Sequence, residues 1–312
     1  MTIDMHAHLL VEGFYNKSFV GPMTISSVQG PGSAEEDRSL EATWDIYDPD
    51  GLDHIRRMDQ AGIEKCNLLH LDMGILFGEG PMPVDQQNKH LSQLVKKHPD
   101  RFTWFCGVDP RRPKAAELAR KCITEWGASG IKFYPTTGFL PADRMVYPLY
   151  EVASSLKVPV YFHMGPEAAP YRNEGNAHPS VLLRVLVDFP QLKVLVAHLA
   201  FEYWRDLIAL GKVRENVMTD FCAWQVVARK NFSQFCHVLR KFLDEFGVER
   251  VMFGTDAPLV EGALSSKDWV EMIKGLAQTA PTGYRFTEEE ISALLIGNAS
   301  RLLASIPQSQ KL

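Results

Sequence analysis

The chain begins Met1-Thr2-Ile3-Asp4-Met5-His6-Ala7-His8, and the residues at the end of this apolar start decide the fold. Thr2 to Met5 reads as a buried strand, and the turn after it is His6-Ala7-His8. A doubly wound sheet would normally carry a glycine-rich turn there, so that backbone can approach a phosphate; these three residues include no glycine. Outward from this point the same unit of apolar run, loop and helix recurs. Further strands are expected at Glu64 to Leu71, Phe102 to Val108, Gly130 to Tyr134, Pro159 to His163, Lys193 to His198, Asn216 to Asp220 and Arg250 to Thr255. Runs that are apolar on both faces suit a parallel sheet covered by helices.

Helical periodicity fills the gaps. The expected helices are Pro49 to Ala61, Pro83 to Lys97, Pro113 to Trp126, Val146 to Leu156, Pro179 to Phe189, Glu202 to Leu210, Asn231 to Phe246, Ser266 to Gln278 and Thr287 to Ala304. Gly62, Gly127, Gly211 and Gly247 read as their stops. Strands that are each followed by a helix, eight times over, predict an α/β chain: a (β/α)₈ TIM barrel with a long loop after strand 1 and an extra C-terminal helix, one domain spanning residues 1–312. Leu9 to Asp48 is too long for a simple strand-to-helix connection. It is expected to fold over the site, with Tyr15 and Trp44 as apolar walls, or to make subunit contacts, its Gly30 to Asp37 tip being the part to delete as a test.

Composition narrows the function classes. The 33 Lys and Arg against 38 Asp and Glu give a net charge of −5, without the basic excess of a nucleic-acid binder. No run of about 18 apolar residues indicates a membrane span, and the N-terminus lacks the basic and apolar regions of a signal peptide. Cys66, Cys106, Cys122, Cys222 and Cys236 are odd in number and contain no Cys-x-x-Cys pair. Reduced core thiols in a cytoplasmic protein are the expectation.

Functional groups of such a barrel sit at the C-terminal ends of its strands. His6 and His8, two apart on a strand, share a face. The fifth strand ends at His163, the sixth at His198 and the eighth at Asp256. Three imidazoles and one carboxylate, His6, His8, His163 and Asp256, form a ligand set for one divalent metal, zinc first and manganese second, with room for water. His198 is then the spare base beside the metal. Weaker candidates are His70 and Asp72 after the second strand, Asp109 after the third, and Arg111 or Arg172 as a bidentate partner for a substrate carboxylate. Tyr134 and Trp224 could wall an apolar pocket, and His178 is a loop candidate. His54, His90, His98 and His237 read as surface residues on helices.

The chain resembles the amidohydrolase superfamily, in the amidohydrolase 2 branch that includes aminocarboxymuconate semialdehyde decarboxylase. The resemblance rests on Asp4-Met5-His6-Ala7-His8, Gly130-Ile131-Lys132-Phe133-Tyr134-Pro135, Phe162-His163-Met164-Gly165, Ala197-His198-Leu199, Met252-Phe253-Gly254-Thr255-Asp256-Ala257-Pro258 and Gly297-Asn298-Ala299-Ser300-Arg301-Leu302. It implies the same ligand set and the same place for His198. It also implies an alternative at Lys132, because two-metal members of the superfamily carry a carboxylated, bridging lysine at the end of the fourth strand; a plain, charged Lys132 is the reading taken here. Subunit contacts are common in this family, so a homo-oligomer, in particular a dimer, is expected.

The leading sequence expectation is a hydrolase acting on an amide, lactone or ester of a small substrate. Metal lowers the pKa of a bound water from 15.7 to roughly 7, and Asp256 would take a proton from that water and pass it to the leaving group. The alternative on the same residues is a carboxy-lyase, a non-oxidative decarboxylase of an aromatic or unsaturated acid. A hydratase is a third option.

Overall fold

The computed structural model describes residues 1–19, 47–165 and 174–307. Trp44, Arg172 and the Gly30 to Asp37 tip lie outside the described residues. Eight parallel strands, β1 (Ile3–Ala7), β2 (Lys65–Leu69), β3 (Phe102–Gly107), β4 (Ile131–Phe133), β5 (Val160–Phe162), β6 (Val194–Val196), β7 (Val217–Asp220) and β8 (Val251–Met252), follow one another in the sheet in chain order. β8 returns to β1: Met5 N–H donates to Phe253 O at 2.9 Å, Asp256 N–H to His6 O at 2.7 Å and His8 N–H to Ala257 O at 2.8 Å. The sheet thereby curls into a nearly closed TIM barrel, as the order of strands and helices predicts.

The core has two parts. Ile3, Met5, Leu69, Phe105, Tyr161, Leu195 and Met252 fill the inside of the barrel. A larger apolar layer lies between the strands and the helices around them. Alternation along β1 would send His6 to the outer layer once Met5 points inward. The pairing with β2 prevents this. Asp4 pairs with Cys66 and Ala7 with Leu68, so β1 holds one extra residue between these partners. Such a bulge resets which side chains face which side, and here Ala7 joins the outer layer while His6 faces the ring of Tyr161.

Most expected helices are present, trimmed at their ends, as at Leu52–Ala61, Val84–Lys97, Ala115–Thr124 and Tyr147–Ser155. Gly211 does not stop its helix, which runs Trp204–Val213. A Cβ there would run into the Phe246 ring, so this glycine permits close helix packing. The helix expected to run unbroken to Phe246 is α-helical over Phe232–Lys241 and then widens into a π-turn over Phe242–Gly247. Periodicity missed two short helices, Gly74–Phe77 and Gln225–Lys230. The eighth strand, expected at Arg250 to Thr255, is Val251–Met252, because the next N–H groups bond elsewhere: Phe253 N–H donates to Leu294 O at 3.0 Å and Thr255 N–H to Asp4 Oδ1 at 3.0 Å.

His54 is a correction. It is buried at 2% exposure, not on the surface, and its Nε2 lies 3.4 Å from Cys66 Sγ. With Met58 and Ala61 it forms the buried stripe of Leu52–Ala61. His90, His98 and His237 are half-buried. All five cysteines are buried free thiols. No helix among the described residues is long and apolar enough to cross a membrane.

Candidate active site

The closure of β8 onto β1 brings His6, His8 and Asp256 together. Asp256 Oδ1 lies 3.0 Å from His8 Nε2 and 3.6 Å from His6 Nε2. Each imidazole is turned by a partner on its other nitrogen. His8 Nδ1 donates to the Leu69 carbonyl at 2.8 Å, and His6 Nδ1 lies 3.1 Å from Asp220 Oδ2. Both Nε2 atoms therefore point at the Asp256 carboxylate, the arrangement in which an outer hydrogen bond fixes the tautomer of a ligating histidine. His6 Nε2 is buried without a hydrogen bond, so a cation between these three groups would satisfy an atom that nothing else does.

His163 and His198 stand beside His6. His198 Nε2 is 3.2 Å from His163 Nδ1, and the His6 and His198 rings are 4.9 Å apart. The tight donor group of His6, His8 and Asp256 does not include His163, which adjoins it through His198. Tyr134 stacks on His163 at 4.2 Å and 19°. His198 is the most constrained residue of the five. It opens a run of four non-glycine residues with positive φ: His198 at 62°, Leu199 at 50°, Ala200 at 57° and Phe201 at 46°. Side chains rarely adopt this conformation, and surrounding contacts must hold it. Phe201 stacks on the His198 ring at 4.8 Å, Trp224 donates its indole N–H to the His198 carbonyl at 2.6 Å, and Cys222 Sγ lies 3.0 Å from His198 Nδ1. Asp256 also has positive φ, 57°.

Asp220, which sequence reasoning passed over, organises the set. Its Oδ1 accepts the backbone N–H of His198 at 3.2 Å and of Cys222 at 2.9 Å. Its Oδ2 takes the Tyr161 hydroxyl and faces His6. Its place at the end of an apolar run was the available signal. Asp220 also joins His6, His198 and Cys222 in a second close group of donor atoms, but these existing bonds mark it as the support of His6 and His198.

Burial sets the protonation states. It pushes the His6 and His198 imidazoles well below the usual histidine range, and the Lys132 ammonium adds to the effect at His6. Both are neutral near pH 7, as metal ligands and bases must be. Burial alone would raise the Asp256 carboxyl, but the His8 hydrogen bond and the neighbouring imidazoles outweigh it and hold the group below its usual range. Lys132 is buried at 2% exposure, with Nζ over the Tyr161 ring at 4.8 Å.

Other expected residues lie further out. Arg111 grips Asp109 through two bonds of 2.9 and 2.6 Å, which occupies the fork expected for a substrate carboxylate. Asp72 pairs with Arg112 at 2.5 and 2.6 Å. Tyr15 is buried against Phe14, Phe19 and His70. His178 caps Ser180 and lies 3.6 Å from Asp206, outside the histidine cluster.

The family model described as amidohydrolase matches residues 3–304. A 2-amino-3-carboxymuconate-6-semialdehyde decarboxylase of Dictyostelium discoideum is 23% identical over 355 residues, covering 98% of this chain and 92% of its own. A gamma-resorcylate decarboxylase of Polaromonas is 24% identical over 269 residues, covering 70% of this chain and 79% of its own. Among solved structures, an uncharacterized TIM-barrel protein from Bordetella bronchiseptica superposes with a TM-score of 0.69 at 22% identity, covering 98% and 99% of the two chains. A dihydroxybenzoic acid decarboxylase from Polaromonas, with bound manganese and 2-nitroresorcinol, gives 0.66 at 18% identity, covering 97% and 96%.

Proposed function

The chain belongs to the amidohydrolase family, and on that premise we propose that it is a divalent-metal-dependent carboxy-lyase acting on a small aromatic or unsaturated acid. The observation that carries the reading is the convergence of His6, His8 and Asp256 at one barrel end, with the His163–His198 pair beside them. That both relatives are named decarboxylases favours loss of carbon dioxide over hydrolysis, the first sequence expectation. Hydrolysis keeps one specific support, the Gly130 to Pro135 and Gly254 to Pro258 stretches that resemble hydrolytic members.

The residues fit a metal by donor chemistry and by the unsatisfied His6 Nε2. His6, His8, His163 and Asp256 would hold it, with manganese or zinc as candidates and manganese supported by the Polaromonas structure. When bound, such an ion neutralises the substrate's negative charge and orients it. In the reaction the bond from ring or chain carbon to carboxylate breaks, its electron pair stays on carbon, and that carbon takes up one proton as carbon dioxide leaves. His198 and Asp256 are the groups placed to move that proton. Phe201 stacked on the ring and Cys222 Sγ at 3.0 Å from its Nδ1 hold the imidazole against rotation, and Trp224 anchors the His198 carbonyl. Incubating metal-loaded protein with aromatic acids, and separately with lactones and amides, tests the assignment by product mass. Loss of carbon dioxide supports it; gain of water with no decarboxylation overturns it.

A further inference from the structure

Of the four proposed ligands, His6, His8, His163 and Asp256, only Asp256 has its backbone in the left-handed region, at φ 57°. A residue stays in that conformation when its surroundings over-determine it. Two peptide planes set the direction of its side chain. The plane between Thr255 and Asp256 is held on both edges: Asp256 N–H donates to His6 O at 2.7 Å, and the Gln225 amide donates to Thr255 O. The plane between Asp256 and Ala257 is held on its carbonyl edge by Leu259 N–H at 2.8 Å. Its N–H edge is held by a side chain, the Thr255 hydroxyl, whose oxygen accepts from Ala257 N–H at 3.1 Å. That hydroxyl is anchored on β1. It donates to Asp4 Oδ2, while Asp4 Oδ1 accepts Thr255 N–H at 3.0 Å and His6 N–H at 2.9 Å. Asp4 and Thr255 are each 1% exposed, so water does not compete for these bonds.

We infer that Asp4 and Thr255 form a positioning clamp that aims the Asp256 carboxyl group at His6 and His8, and so sets the affinity of the site for a divalent cation although neither residue belongs to its donor group. The inference rests on the reading of His6, His8 and Asp256 as metal ligands and is independent of the reaction that follows. One Asp4 oxygen ties the backbone of His6 to that of Thr255. Ligands from the first and last strands thereby keep their spacing, 3.0 Å from Asp256 Oδ1 to His8 Nε2 and 3.6 Å to His6 Nε2. Thr255→Val keeps the branched shape but supplies neither the hydroxyl hydrogen for Asp4 nor the oxygen for Ala257 N–H. A buried donor stripped of its acceptor is costly, and the peptide plane after Asp256 turns to find another. Thr255→Ser keeps both bonds.

Metal-free protein titrated with manganese against a competing chelator reads the affinity without any substrate. Thr255→Val and Asp4→Asn should each weaken binding by ~10- to 100-fold, the effect of removing a group that orients a metal ligand. Thr255→Ser should bind as the wild type does. Residues that act through one clamp are not additive, so the double variant should lose no more than the worse single one. Thr255→Ala takes the place of Thr255→Val if the latter does not fold. Thr103→Val, which removes a hydroxyl bond to Asn67 near the start of β3, should bind as the wild type does and separates aim from a general loss of stability. Asp256→Ala gives the loss expected when the ligand itself is gone. Wild-type affinity in Asp256→Ala would overturn the ligand reading, and the clamp with it. A loss in Asp256→Ala with wild-type affinity in Thr255→Val, equal losses in the valine and serine variants, losses that multiply in the double variant, or an equal loss in Thr103→Val would overturn the clamp alone.

Discussion

His198 and Asp220 both touch the His6 side of the cluster, yet removing them should fail in different ways. His198→Ala takes away the proposed proton-moving group but none of the proposed ligands. It should lose ~10²- to 10⁴-fold in rate while elemental analysis still finds one metal per chain. Asp220→Asn leaves every ligand in place but weakens the anchor on His6 Nδ1. It should lower metal affinity by roughly 10- to 100-fold, read by chelator competition. A His198→Ala protein with full activity, or an Asp220→Asn protein with unchanged affinity, would contradict these roles. His54 makes a prediction about stability. Burial lowers its imidazole to about 3, whereas an unfolded histidine titrates near 6.5. The folded pKa is the depressed one, so this contribution is full above pH ~6.5 and is lost as pH falls toward ~3, by at most ~1.4 kcal/mol per pH unit. The stability difference between wild type and His54→Leu, measured by denaturant unfolding of metal-free protein, should shrink across that window in favour of the variant. Parallel curves would count against a neutral buried His54.

At the scale of elements, the strand ends were legible and their aim was not. His6, His8, His163, His198 and Asp256 each follow a short apolar run, and that pattern alone places them at one end of a barrel. The bulge that turns His6 inward depends on the pairing of β1 with β2, a contact some sixty residues away in the chain. Asp220 ended a recognised strand, but its bonds to His6 and Tyr161 exist only once the barrel closes. His54 was misread although its i, i+4 and i+7 partners Met58 and Ala61 were in view, because a histidine among polar helix neighbours looks solvated. Gly254 shows how β8 serves β1. A Cβ there would stand 2.9 Å from His6 Cβ and 2.8 Å from Cys222 Cβ. Gly254→Ala must push on the His6 side, and overpacking of this kind costs about 1–3 kcal/mol. Metal affinity should fall by about 10-fold, whereas Gly175→Ala, with nothing within 4 Å of the new methyl, should leave it unchanged. Equal affinities in the two variants would show that β8 does not constrain the ligand.

For the whole molecule, the barrel gathers groups from β1, β5, β6, β7 and β8 into one buried cluster. If the cluster is the metal centre of a carboxy-lyase, as proposed, metal content and decarboxylation rise together. Metal-free protein titrated with manganese, with carbon dioxide release from a carboxyl-labelled dihydroxybenzoate followed at each addition, tests this directly. The account predicts release that is absent without metal, grows in proportion to added ion and levels off at about one ion per chain, the stoichiometry of a single His–Asp site. Release that is independent of the ion, or a protein that stays silent on aromatic acids while its metal-loaded form adds water to an amide or lactone, would contradict it.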